Sequence, residues 1–308
     1  MRVAWTLLVL CTAAGVMASA AAQRLARAVS RVTDVRRYAD KNIVVDFGDY
    51  ERTSPILGLA EDFMREGEQG FPDHPHRGFE TVSLVLKGRQ RHGDSTGHSG
   101  VLEAGSVLWM TAGSGIIHSE FPDGPELCHT LQLWFNLPAA LKMTKPRYQQ
   151  YAKDELPVVR DGAAEITVMT GAQHGVRGPI TTHTPATCAM ARVQAGACAA
   201  LDLPGPHNGF VYVLEGAGRF GRTKRPARQG QVLWFDPVAD APAADGVVAP
   251  ADVPSSIPVE AEQELHLLLF GGEPIREPVY HQGPFVLHTP EALQQAFIDY
   301  RTGNFLRG

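Results

Sequence analysis

Cysteine is scarce in this chain. It has 4 in 308 residues, and one of them, Cys11, falls within the first 22. So few thiols cannot build a disulfide framework. If the leader were removed, Cys128, Cys188 and Cys198 would remain, an odd number that permits one pair at most. An excess of either charge is also missing, since 28 Lys and Arg stand against 33 Asp and Glu, for a net charge of −5. No basic field is available for a phosphate backbone, which disfavours direct nucleic-acid binding. Beyond residue 22 no apolar run is long enough to cross a bilayer, so no stable membrane span is expected after processing.

Hydrophobic residues at 44% and charged residues at 20% describe an ordered globular chain. At 308 residues it exceeds the size at which a single core stops growing, which predicts two domains. Residues 1–22 differ from the rest. Arg2 is followed by an apolar stretch from Trp5 to Ala18, with small residues at 18, 20 and 22 as candidate cleavage sites. This is the pattern of a signal peptide. Arg24, Arg27 and Arg31 follow with no acid before Asp34, which also fits an organelle transit peptide, and secretion is placed ahead of it.

Short β-rich runs bounded by Gly, Pro or Asp recur at Thr81–Leu86, Val107–Met110, Leu131–Phe135, Ile166–Thr170, Phe210–Leu214, Gln231–Phe235 and His266–Phe270. They predict an all-β sandwich or barrel. The chain also repeats itself. Val82–Gly93 aligns with Phe210–Gly221, and Gly105–Met110 with Gly230–Phe235, so one β unit occurs twice. The connection between units is placed at Leu137–Val159, and Pro237–Glu262 reads as a long loop. At the end of the chain, Thr289-Pro290-Glu291 offers an N-cap, a first-turn proline and an acid. A helix should follow, with Leu293, Ala296, Phe297 and Tyr300 on one packing face.

The most informative segments are Phe71-Pro-Asp-His-Pro-His-Arg-Gly-Phe-Glu80 and Gly115-Ile-Ile-His-Ser-Glu120. Residues two apart on an extended strand project to one side, so His74 with His76, and His118 with Glu120, could close around one ion from adjacent strands. Three neutral imidazoles and a carboxylate suit Fe(II), Mn(II), Ni(II), Cu(II) or Zn(II). Glu80, four residues after His76, competes with Glu120 for the fourth position. His92, His98, His129, His174 and His207 have no partner at ligand spacing. In the second copy the equivalent positions are Asp202 and Pro204, then Ala243 and Asp245, so only the first copy carries an imidazole set. Trp109, Met110 and Phe79 lie near the ligands in sequence and are read as core ahead of pocket.

From about Arg31 to the C-terminus the chain resembles the pirin family of bicupins, on the segments Phe71–Val82, Trp109–Glu120, Leu131–Asn136 and Gly272–Val286. By that resemblance His74, His76, His118 and Glu120 stand at the four metal-ligand positions, and Glu80 does not. One divalent metal per chain is implied, with Fe(II) first. The resemblance also implies two cupin-type β-barrel (jelly-roll) domains with a C-terminal helix. The expected layout is a leader at 1–22, a metal-binding N-terminal cupin domain at 31–140, a metal-free C-terminal cupin domain at 160–288, and a helix with tail at 289–308. The implied activity is that of a quercetin 2,3-dioxygenase, acting on a planar phenolic flavonol with dioxygen, with Glu120 as the catalytic proton acceptor. The alternative is a noncatalytic iron-dependent redox sensor or transcriptional co-regulator acting through a protein partner. The family is mostly cytoplasmic or nuclear, whereas the leader here points to the secretory pathway or an organelle.

Overall fold

A computed structural model describes residues 24–65, 67, 70–238 and 254–306, so the leader lies outside the described residues. All seven β-rich runs are strands. Thr81–Leu86, for example, sits inside the strand Phe79–Lys87, and Leu131–Phe135 inside Cys128–Asn136. β-branched and aromatic residues favour the pleated, half-buried surface that these runs occupy.

Each sequence repeat builds a pair of sheets. In the first unit a seven-stranded sheet has the order Arg147–Tyr151, Val107–Thr111, Phe79–Lys87, Cys128–Asn136, Ile56–Met64, Lys41–Val45 and Arg36–Arg37. Its companion has four strands: Phe71–His76, Ile116–Pro122, Arg89–Asp94 and Ser99–Glu103. A second seven-stranded sheet and a five-stranded one make the other unit. The repeat recurs in the strand register. Trp109 pairs with Val82 and Val107 with Leu84, as Trp234 pairs with Phe210 and Val232 with Tyr212.

Alternation along these strands sends one face to the core shared by the two units and the other face into its own unit. Val82, Leu84, Val107, Trp109 and Phe135 pack in one buried cluster with Phe210, Tyr212, Val232, Trp234 and Phe270. The opposite faces differ in character. The interior of the second unit is apolar, with Val211, Val213, Leu233, Leu267 and Phe220 in one cluster. Where Val211 stands there, the first unit has Ser83, and buried polar side chains such as His118 and Glu120 join Val85, Leu102 and Leu108 in its interior.

Three boundaries differ from the expectations. Arg31–Asp34, expected to open the first unit, hydrogen-bonds to Gln231–Trp234 in the second, and Leu25–Ala26 pairs with Ser255–Ser256 there. Arg27 fastens this strap, its buried guanidinium donating to the carbonyls of His207, at 2.9 Å, and Phe235, at 3.1 Å. The expected connection at Leu137–Val159 contains the strand Arg147–Tyr151, which pairs with Val107–Thr111 and closes an edge of the first unit. The expected loop Pro237–Glu262 ends in a strand, Ser255–Ala261, whose Ile257, Val259 and Ala261 point into the second core; residues 239–253 lie outside the described residues.

The predicted helix forms at Pro290–Arg301, with the Thr289 hydroxyl accepting from the Ala292 amide at 3.1 Å. It packs on the first unit, not the second. The hairpin Tyr280–Gln282 and Phe285–Leu287 bridges to Arg77, and the helix covers that hairpin. Each end of the chain therefore completes the unit to which it does not belong in sequence. No described helix is long and apolar enough to cross a membrane.

Candidate metal centre

The strand Phe71–His76 pairs antiparallel with Ile116–Pro122, and the register sets His74 opposite His118 and His76 opposite Ile116. One ligand nitrogen from each of His74, His76 and His118 lies within 4.8 Å of the others. The ring centroids are 4.3 Å apart for His74 and His118, 4.7 Å for His74 and His76, and 5.0 Å for His76 and His118. His76 and His118 are buried, and His74 is partly exposed at the rim.

The chemistry of these donors fits a cation. His74 Nδ1 lies 2.8 Å from the Pro72 carbonyl, an acceptor, so Nδ1 carries the proton and Nε2 is left as a lone pair. That Nε2 stands 3.1 Å from Nε2 of His76, and His118 Nε2 is buried without a hydrogen-bond partner. Burial pushes His118 down to about 4, and burial with the neighbouring His118 and His74 pushes His76 well below the usual imidazole range. Both rings are therefore neutral at physiological pH, the form that binds a metal.

Glu120 stands outside this group of three, two residues along the strand from His118, and the register shifts between them. Its carboxylate is held at both oxygens. Ser83 Oγ donates to Oε1 at 3.0 Å, and Gln132 Nε2 donates to Oε2 at 2.7 Å. Ser83 and Gln132 are direct cross-strand partners, so one rung of the sheet fixes the whole carboxylate. Gln132 is oriented in turn by the Trp134 indole N–H, 3.4 Å from Gln132 Oε1. The Trp134 ring also stands edge-on to His76 at 5.1 Å and leans on Phe79 at 4.3 Å. Deeper in the unit, Asp62 is pushed up to about 6 by burial and then by the charge of Glu120, and burial raises the Cys128 thiol to about 11.

Ser83, Gln132 and Trp134 were not marked as site residues from sequence. The available signal was a glutamine alternating with Leu131 and Leu133 in a strand whose neighbours are core. Of the three apolar residues near the ligands, Phe79 lies 5.1 Å from the His76 ring, Met110 packs with Ala112 and Ile116, and Trp109 turns away into the shared core. Four of the other histidines have ordinary hydrogen-bond partners. His92 meets Gln150 at 3.1 Å, His129 meets Glu61 at 2.8 Å, His174 meets the Ala200 carbonyl at 2.8 Å, and His207 meets Thr187 at 3.2 Å.

Glu80, the other carboxylate at ligand-like spacing, is also outside the imidazole group. Its strand neighbours Val82 and Leu84 on the same face belong to the shared core, and its Oε1 accepts from the Thr111 hydroxyl at 2.6 Å. Burial raises it from 4.5 to about 7. A raised carboxyl gives stability that is present below 4.5 and lost as the pH rises through 7, here about 3 kcal/mol. Glu80→Gln should abolish that loss. Urea titrations at pH 5 and pH 8 are expected to show the variant gaining about 3 kcal/mol relative to the wild type between the two, the other buried groups titrating alike in both proteins.

Comparison with known proteins gives one consistent result. The family described as Pirin matches residues 23–135, and that described as Pirin C-terminal cupin domain matches residues 188–306. A pirin-like protein of Solanum lycopersicum is 36% identical over 258 residues, covering 83% of each chain. A Pseudomonas aeruginosa protein named as a candidate quercetin 2,3-dioxygenase is 38% identical over 269 residues, covering 83% of this chain and 88% of that one. The crystal structure of a quercetin 2,3-dioxygenase from Acinetobacter baumannii superposes with a TM-score of 0.79 at 27% identity, covering 92% of this chain and 99% of that one. A bacterial pirin from Escherichia coli in complex with nickel(II) shares the fold, with a TM-score of 0.59 at 20% identity over 81% of this chain and 99% of that one.

Proposed function

The chain belongs to the pirin family, and we propose that it is a metal-dependent dioxygenase of the quercetin 2,3-dioxygenase type, using one Fe(II) in its first cupin unit. The observation that carries this reading is the convergence of three imidazoles beside a buried carboxylate, both of whose oxygens are held by hydrogen-bond donors. His74, His76, His118 and Glu120 are the proposed ligands. The apolar interior of the second unit supports a single site per chain.

A metal held by these residues would supply Lewis-acid stabilisation for a flavonol 3-oxyanion. The side chains perform the remaining work. Glu120 takes the proton of the 3-hydroxyl, and the N–H of Gln132 and the hydroxyl of Ser83 hold its carboxylate in one fixed orientation. Phe79, fully buried, and Trp134 form an apolar backing beside His76 that keeps water from that side of the site. The test is dioxygen uptake and carbon monoxide release by anaerobically purified, Fe(II)-loaded protein given quercetin. Protein with a full equivalent of iron that leaves quercetin unchanged would refute the flavonol assignment and move the weight to the redox-sensor reading.

The leader supports export or import into an organelle. The first described strand is Leu25–Ala26, so cleavage near Ala22 would leave every described strand intact. N-terminal sequencing of protein from its native source is expected to start after residue 22, and recovery of Met1 would restore the family's usual cytoplasmic or nuclear location.

A further inference from the structure

We propose that Arg77 is a positioning residue of the metal centre, tying both histidine-bearing strands to the C-terminal segment 284–306 so that docking of this segment and metal binding strengthen each other. This deepens the metal reading above and rests on it. Arg77 follows His76 directly, yet its side chain points away from the imidazoles and is buried, 3% exposed. A buried guanidinium must have all its donors matched or it destabilises the fold by several kcal/mol. Here Nε donates to the Ser114 carbonyl at 2.6 Å, Nη1 to Asp299 Oδ2 at 2.6 Å, and Nη2 to the Phe305 carbonyl at 3.0 Å, while the Phe305 ring lies 4.4 Å from the guanidinium carbon.

These partners come from three places. Ser114 opens the turn into the strand of His118, Asp299 lies on the C-terminal helix, and Phe305 is in the tail after it. The backbone repeats the connection. The Val286 amide donates to the Arg77 carbonyl at 3.0 Å, and Lys142 Nζ, buried beneath, donates to the carbonyls of Gly78, at 2.9 Å, and Val286, at 3.1 Å. Two glycines permit the close approach. A Cβ on Gly78 would collide with the Val286 carbonyl, and one on Gly115, whose φ is +142°, would stand 3.0 Å from the Phe305 ring. The tail thus bears directly on the residues flanking His76 and on the turn that leads to His118.

Metal ligands must be held to within about 0.5 Å, and the outer groups that hold them are typically worth 10- to 100-fold in metal affinity. Arg77 acts on two of the three histidines through one side chain. Linkage then requires that, if the docked tail tightens metal binding, bound metal tightens the tail by the same factor.

The experiment uses the full chain stripped with chelator and titrated with Ni(II), so it reads binding and not turnover; loss of the dioxygenase activity alone would leave it untouched. Asp299→Ala should weaken nickel roughly 10- to 100-fold, and Asp299→Glu should recover part of that. Phe220→Leu, a cavity in the second core, should lower the melting temperature without changing nickel affinity. In hydrogen exchange, nickel should slow the amides of Ile298–Thr302 in the wild type by a larger factor than those of Val211–Val213. If Asp299→Ala does not fold, Phe305→Leu, which keeps the carbonyl and loses the ring, should weaken nickel in the same direction. Nickel affinity within twofold of wild type in the folded variant, or helix exchange that ignores nickel, would overturn the proposal. Wild-type protein that binds no nickel and no other divalent ion would sink both this coupling and the metal reading.

Discussion

His76→Ala is expected to take the protein from one equivalent of metal per chain to almost none. Structural zinc sites in small peptides supply roughly 10–16 kcal/mol over four ligands, and on that scale one imidazole carries about 3–4 kcal/mol, or two to three orders of magnitude in affinity. His76 is the most telling choice, being 2% exposed with its Nε2 3.1 Å from that of His74, so no solvent-exposed group can take its place. His129→Ala is the matched control, because that ring is occupied by Glu61 and Phe63. Elemental analysis of both proteins after identical loading decides the matter. Two equivalents in the wild type, or one in His76→Ala, would overturn the assignment to the first unit. Stripping the wild type should also lower its melting temperature, since an ion at 100 times its dissociation constant contributes about 2.7 kcal/mol to the folded state.

The second large effect is expected from Glu120→Gln. The amide keeps the shape and one oxygen acceptor but loses the charge and nearly all the basicity. It also replaces an acceptor with a donor opposite either the Ser83 hydroxyl or the Gln132 amide, both of which donate to the present carboxylate. If Glu120 takes the flavonol proton, the rate with quercetin should fall about 10²- to 10⁴-fold, the range of a positioned general base. Metal content must be measured on the same samples, because a loss of rate that tracks a loss of metal would identify Glu120 as a ligand only. A metal-loaded variant at full rate would refute the base. Trp134→Phe gives an intermediate test, since it keeps an aromatic face beside His76 while freeing Gln132 to turn.

The imidazole group was readable in sequence because its spacing carries geometry: alternate residues on a strand share a side, and His74, His76 and His118 used that rule on two adjacent strands. The C-terminal helix was readable for a similar reason, its cap and apolar period being local. What escaped detection depended on distant pairing. Gln132 and Ser83 become a carboxylate clamp only once two strands 49 residues apart lie side by side in register. Arg31–Asp34 reads as a strand of whichever unit it precedes, and only its bonds to Gln231–Trp234 assign it to the other. Ser255–Ala261 was hidden by Pro258 and by the Ala- and Pro-rich residues before it, although Ile257, Val259 and Ala261 alternate correctly. Arg77 reads as one more surface arginine until the tail arrives from more than 200 residues away to bury it.

The exchanged ends also bear on how such a chain can change over generations. The repeated register points to an ancestral single unit copied in tandem, and a fresh tandem copy can lose either half and still leave a working protein. This chain has given up that freedom. A gene shortened to its first half would encode a metal centre with Arg77 uncovered, while one shortened to its second half would lack the strap held by Arg27. The second unit, with no imidazole set of its own, thus supplies through its C-terminal extension the groups that cover Arg77 in the first.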